Sequence, residues 1–250
     1  MSSFVVVIPA RYASTRLPGK PLRDINGKPM IEHVYRRGLE SSAREVVIAT
    51  DDERIADAAE SFGAAVCMTG DQHRSGTERI TEVADLLDWR DETVVVNLQG
   101  DEPAMPASLI NQCAELLDDS SADLATLASP VLSDDDFANP NVVKVVVDNA
   151  DNAIYFSRAM IPYPRDASRI SEARAAALHH HGIYAYRCGV LRKLVAANPS
   201  PLETAEHLEQ LRALSMGRSI KVGIPAVRPG TGVDTEADLE AIAGELDTPR

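Results

Sequence analysis

The amino-acid sequence predicts an α/β protein, a doubly wound and mostly parallel sheet with a smaller lobe covering the ligand. Three observations predict it. Short apolar runs alternate with helical patterns through roughly the first 130 residues, the order that builds a parallel sheet covered by helices. The run Thr93–Leu98, TVVVNL, is apolar almost throughout, as in a strand covered on both faces. Polar loops follow the apolar runs at one end, where open α/β sheets bind ligands.

In chain order, Phe4–Ile8 is a buried strand that stops at Pro9. A loop carrying Arg11, Arg16, Gly19 and Lys20 follows, then a turn at Asn26–Gly27. The spacing of Ile31, Val34, Tyr35 and Leu39 predicts a helix from Pro29 to about Ser41. Glu45–Ala49 is a second strand. Thr50–Asp51–Asp52 then caps a helix whose inner face carries Ile55, Ala58, Ala59 and Phe62. Ala65–Met68 is a third strand, and Thr69–Thr77 a polar loop. The next helix, Thr77–Leu87, turns Ile80, Val83, Ala84 and Leu87 inward. The central strand ends at Gln99–Gly100–Asp101–Glu102–Pro103.

Beyond residue 140 the pattern reads as strands at Asn141–Val147, Ala153–Ser157 and Gly182–Arg187, with a polar stretch at Pro164–Arg174. Helices near Gly189–Asn198 and Glu203–Met216, a strand at Ser219–Ile224, and a helix at Thr235–Leu246 capped by Asp234 or Thr235 complete it. No Pro/Gly/Ser linker divides the chain, so residues 1–250 are read as one domain. Roughly 1–130 form one ligand-binding half and 131–250 the half that extends the sheet and carries the lobe.

Hydrophobic residues make up 44% of the chain, ample for a core of this size. No run of 18 apolar residues is present, and the chain enters a strand after three residues, so neither a membrane span nor a secretory leader is expected. The net charge of −13 argues against nucleic acid or an anionic membrane as partner. Cys67, Cys113 and Cys188 are odd in number and far apart, which suits a reducing cytoplasm better than a disulfide framework or a zinc site.

Against that acidic background the loop with Arg11, Arg16 and Lys20 stands out. Three cations spaced five and four apart, directly after a buried strand, suit a triphosphate: arginine binds oxygens in pairs and lysine acts as a point charge. Neither the Walker A nor the GxGxxG pattern is present. Asp101, just past the central strand, is placed either as a turn or capping residue or as a ligand for Mg²⁺, which takes one or two carboxylates plus phosphate oxygens. Asp234 in GTGVD is a second such carboxylate, able to share the ion if the C-terminal part folds back. In the loop His73–Thr77, Gly76 lets backbone approach a ligand, so its amides can read a base edge. Arg158 and Arg165 are either surface residues or the grip on a carboxylate. His180, Tyr184 and Glu209 are able to hydrogen-bond a polyol.

Long stretches then resemble one family. VVVIPARYASTRLPGKPL, the TDD after the second strand, HRSGTER, VVVNLQGDEP, NVVKVV, YFSRxxIP, GIYAYR, LEQLRAL and GTGVDT follow the order of the 3-deoxy-manno-octulosonate (Kdo) cytidylyltransferases, or CMP-Kdo synthetases. The likeness runs from Phe4 to about Leu239. It implies a Rossmann-like nucleotidyltransferase fold whose lobe forms the contact of a cytoplasmic homodimer. It also implies CTP and Kdo as substrates, Mg²⁺ as cofactor, and a place in lipopolysaccharide synthesis. Residue by residue, it implies a phosphate and nucleotide site of Pro9, Ala10, Arg11, Arg16, Lys20, Arg74, Ser75, Gly76 and Gln99. Asp101 and Asp234 would be the metal carboxylates, catalytic together with Arg16 and Lys20. Gln99, Arg158, Arg165, His180, Tyr184 and Glu209 would hold the sugar. The family commonly reads RHLGIYGYR where this chain reads HHHGIYAYR, so His180 is one choice for the sugar histidine, with His179 and His181 as alternatives. A modified Kdo, such as an 8-amino analogue, or another acidic sugar is the nearer rival substrate. A nucleotide-binding module without catalysis is the distant one.

Overall fold

The computed structural model describes residues 3–13 and 17–246. The opening apolar run becomes β1 (Phe4–Ala10), in which Val5 to Ile8 are wholly buried. Strand periodicity sends Val6 and Ile8 to one face and Val5 and Val7 to the other, so both faces need cover. That cover comes from helices on the two sides. α1 (Met30–Leu39), α2 (Glu53–Ser61) and α4 (Ala107–Asp118) pack on the Ile8 face; α3 (Gly76–Leu86) and α7 (Cys188–Ala196) pack on the Val7 face. β4 (Glu45–Thr50) and β6 (Val94–Asn97) flank β1 in parallel, and β5 (Ala65–Met68) extends the β4 edge. Asn26 and Gly27, both with positive φ, close a small hairpin of β2 (Asp24–Ile25) and β3 (Lys28–Pro29).

The doubly wound sheet is thus present, and it is mixed. β7 (Leu124–Pro130) and β11 (Ile220–Gly223) pair in parallel, while β10 (Leu178–Arg187) lies between β6 and β7, antiparallel to both. The strand order is β11-β7-β10-β6-β1-β4-β5. The antiparallel pair β8 (Lys144–Val147) and β9 (Ala153–Ser157) attaches to the start of β10. Beside it, α5 (Asp134–Ala138) and α6 (Ile170–Ala175) share a small apolar centre around Val131, Phe137 and Ala177. No helix among the described residues is long and apolar enough to cross a membrane, and the three cysteines are buried and unpaired with one another.

Several elements differ from their sequence reading. β10 begins at Leu178, four residues before the expected Gly182, because the His179–His181 segment pairs with β7. The expected helix Glu203–Met216 is two short helices, α8 (Pro201–Glu206) and α9 (Gln210–Ser215), broken where His207 turns left-handed at φ 52°. Leu39 and Leu87 stand exposed at helix ends rather than facing inward. The closing helix, α10 (Glu236–Leu246), starts just after Asp234.

Candidate active site

The polar loops converge on one cleft of about 810 Å³, lined from β1, β6, β10, α3 and the α8–α9 break. Its first wall is the loop after β1. Pro9 and Ala10 end the strand, and Arg11 follows at the cleft. The loop is drawn closed by Gly19, whose N–H donates to the Tyr12 carbonyl at 3.2 Å and whose φ of +65° favours glycine. The Arg54 guanidinium lies 3.4 Å above the Tyr12 ring and steadies the same loop. Arg16 lies outside the described residues.

Closure of the loop delivers Lys20 to two carboxylates. Its Nζ donates to Asp101 Oδ2 at 2.8 Å and to Asp234 Oδ1 at 3.0 Å. Burial works against the Lys20 ammonium, but Asp101 and Asp234 outweigh it and hold its pKa above the usual value. Asp234 arrives from 133 residues away (234 − 101) because its loop lies directly on the 101–104 backbone. The Val233 N–H donates to the Asp101 carbonyl at 2.9 Å. At Gly230 a Cβ would stand 2.3 Å from the Ala104 carbonyl oxygen, so only glycine fits. Glu102, packed beneath Gly232, is pushed up to about pH 8 by burial first and then by Asp101 and Asp234.

Among the described residues no group of three or more His, Cys, Asp or Glu is arranged to hold a metal. Two carboxylates focused on a single cationic centre are nevertheless what Mg²⁺ needs from a protein when phosphates supply further oxygens. They are not the four-ligand nitrogen and sulfur set of a structural zinc site.

The second wall is the start of α3. Ser75 caps this helix, its Oγ accepting from the Glu78 N–H at 3.2 Å. Arg74 is tied down by Glu78, which takes its backbone N–H and two guanidinium donors. Gly76 sits against Pro9, where a Cβ would be 3.2 Å from the proline ring. The first amides of this 11-residue helix therefore open beside the end of β1, a place suited to anionic or polar ligand atoms.

The third wall carries His180, Gly182, Tyr184 and Glu209, with Gln99 against Gly182. Thr126 organises it. The pairing of β10 with β7 shifts between His181 and Tyr184, and the Thr126 hydroxyl fills that bulge. It donates to the Ile183 carbonyl at 2.7 Å and, more weakly, to the His181 carbonyl at 3.2 Å. Its remaining lone pair faces His180 Nε2 at 3.2 Å, which assigns the imidazole proton to Nε2. Of the three histidines His180 lines the cleft, while His181 bonds the Ser129 hydroxyl at 2.9 Å. Burial, followed by the neighbouring histidines, lowers the His180 pKa to about 3, and burial lowers that of His181 to about 4. Both are neutral at physiological pH. The stability tied to their neutral forms is complete above the unfolded value near 6.5 and is lost as pH falls toward 3–4. Thermal scans between pH 6.5 and 4.5 should show His180→Gln with a shallower acid slope than the parent, by roughly 1 kcal/mol per pH unit. Parallel slopes would overturn the burial argument.

Glu209 is the N-cap residue of α9 and accepts from the Thr77 hydroxyl at 2.8 Å, tying α9 to α3. Burial raises its pKa against the hydrogen bonds from Thr77 and Ser75.

Two expected sugar ligands stand elsewhere. Arg158 does not line the cleft, because its guanidinium is committed to the carbonyls of Glu206, Pro140 and His207. Arg165 is exposed on the stretch after β9, outside the cleft lining. The cleft in turn holds Asn97, Thr77 and Tyr186, which the sequence reading leaves out. Asn97 carried a legible signal, being the lone polar residue before the end of an apolar central run.

A basic loop, a helix start and paired carboxylates around one cleft define a nucleotidyltransferase. Residues 5–220 match the cytidylyltransferase family model. The solved structure of a CMP:2-keto-3-deoxy-manno-octonic acid synthetase complexed with CTP is 44% identical, with a TM-score of 0.89 over 98% of both chains. A cytidylyltransferase from Leptospira borgpetersenii serovar Hardjo-bovis is 17% identical (TM-score 0.62, 97% and 86% covered). A 4-diphosphocytidyl-2C-methyl-D-erythritol synthase is 16% identical (TM-score 0.66, 98% and 99% covered). These last two show the shared fold. The chain belongs to the cytidylyltransferase family, among its CMP-Kdo synthetases.

Proposed function

We propose that this enzyme transfers CMP from CTP to Kdo, giving CMP-Kdo and diphosphate, and so activates Kdo for lipopolysaccharide synthesis. The observation that carries the reading is the meeting of Asp101 and Asp234 at Lys20, in the same cleft as His180, Tyr184 and Glu209. The anomeric hydroxyl of Kdo gives up its proton to solvent as its oxygen forms a bond to the α-phosphorus. The bond from that phosphorus to the bridging oxygen breaks, and its electron pair leaves with diphosphate. Such chemistry depends on positioning and charge neutralisation. Lys20 and Arg11 face the triphosphate from the β1 loop, and the α3 amides with Gly76 take the nucleoside side. His180 and Tyr184 stay uncharged and orient sugar hydroxyls. Asp101 and Asp234 are the residues that would hold Mg²⁺, which when bound neutralises phosphate charge and lowers the pKa of the attacking hydroxyl.

Diphosphate release from CTP, measured with Kdo, its 8-amino analogue and other acidic sugars, tests this reading. Release is expected to be fastest with Kdo, to stop with EDTA and to return with Mg²⁺. No release with any sugar refutes it, and a faster 8-amino analogue reassigns the substrate. Gly230→Ala should lower turnover on the order of 10²-fold, because moving the Asp234 loop off Ala104 displaces a carboxylate by about an ångström. Turnover within twofold of the parent would refute that role. We read the enzyme as a cytoplasmic homodimer joined through the lobe, where Leu132, Ile154 and Tyr163 are exposed. Light scattering should then give twice 27.0 kDa.

A further inference from the structure

The cleft contains two buried polar atoms with no hydrogen-bond partner among the described residues, Asn97 Oδ1 and the Tyr184 hydroxyl oxygen. Asn97 is 3% exposed and Tyr184 is 6% exposed, yet both line the cleft. They are direct partners across β6 and β10, so their side chains leave the sheet on one face, with Cβ atoms about 5 Å apart. The groups around them are already engaged. The Thr126 hydroxyl donates to backbone carbonyls in the β10 bulge. The Thr77 hydroxyl donates to Glu209 at 2.8 Å. What remains open is an acceptor on Asn97 and a hydroxyl on Tyr184.

An unpaired buried acceptor costs about 1–3 kcal/mol, and native proteins keep few of them. The chemistry of the pair selects its partner. An alcohol can donate to Asn97 Oδ1 and accept from the Tyr184 O–H. A carboxylate or fully ionised phosphate cannot donate to Asn97, and an ammonium cannot accept from Tyr184. Tyr184 also stands with His180 in the cleft, their rings 5.2 Å apart.

We infer that Asn97, paired with Tyr184, is a specificity residue that reads one alcohol hydroxyl of the acidic sugar. The inference rests on the Kdo reading above. Any Kdo analogue lacking that hydroxyl leaves both atoms unpaired and is rejected strongly, as sites built around a hydroxyl do.

The test uses the full-length enzyme and its Asn97→Leu, Asn97→Ser and Tyr184→Phe variants. Asn97→Leu is expected to raise KM for Kdo at least tenfold, with the Kd for CTP by calorimetry unchanged within twofold. The Kdo-induced rise in Tm expected for the parent should vanish in this variant. Tyr184→Phe should shift KM for Kdo in the same direction. Asn97→Ser, folded by circular dichroism, gives the same readout should the leucine variant misfold. A weakened CTP Kd with an unchanged KM for Kdo would move the pair to the nucleotide ribose and overturn the inference. So would unchanged sugar kinetics in every variant. A parent enzyme inactive on every acidic sugar would instead refute the broader reading, which keeps the two failures distinct.

Discussion

Asp101→Asn is expected to lower turnover with CTP and Kdo by at least about 10²-fold, close to 3 kcal/mol of barrier. The substitution keeps the size of the side chain and removes its charge. Lys20 would then face one carboxylate in place of two, and a divalent cation would lose one of its two protein oxygens. The backbone anchor of the Asp234 loop uses the Asp101 carbonyl, which the change leaves intact. The loss should therefore fall on kcat, with Tm within a few degrees of the parent. Near-normal turnover would remove the carboxylate pair from the mechanism.

The second large effect is on stability. Arg212 and Glu203 form a buried ion pair, the guanidinium donating to Oε2 at 2.8 Å and to Oε1 at 2.5 Å. Arg212 also reaches the carbonyl of Leu194 at 3.1 Å, so one side chain binds α7, α8 and α9 together. Arg212→Leu leaves the Glu203 charge buried without its partner and should cost about 3–5 kcal/mol. For a chain of this length that is roughly 6–20 °C in Tm. Adding Glu203→Leu should recover part of the loss, because the unpaired charge goes too. Full recovery is not expected, since Glu203 also closes the capping box with Ser200. A single variant within 2 °C of the parent would show that the pair contributes little.

Much of the strand pattern was legible because burial on both faces writes itself as unbroken apolar runs, as in Val5–Ile8 and Val94–Val96. The basic loop stood out against an acidic chain, whereas Asp101 and Asp234 each read equally as turn or capping residues, and their pairing rested on the C-terminal part folding back and on the family resemblance. Other features depended on contacts distant in sequence. Nothing local says that β10 runs antiparallel between two parallel neighbours, or that His179–His181 belong to a strand. The break between α8 and α9 falls at a histidine held left-handed, with no glycine to announce it. For Arg158, read as either a surface residue or a ligand for a carboxylate, nothing local shows that the end of α8, 48 residues further on, accepts from its guanidinium. Helix α4 and strand β7, in a stretch the sequence left without assigned elements, appear only once each is seen packed on the sheet.

The placement of β10 also bears on the order in which a growing chain can finish itself. β6 is complete by Asn97, yet the strand that covers its outer side ends at Arg187. Until some ninety further residues emerge, the nascent protein carries a short, mostly apolar edge open to pairing with other chains, the kind of surface chaperones shield. Fragments ending before residue 178 should be recovered as aggregates, however well the β1–β4–β5 part of the sheet has formed.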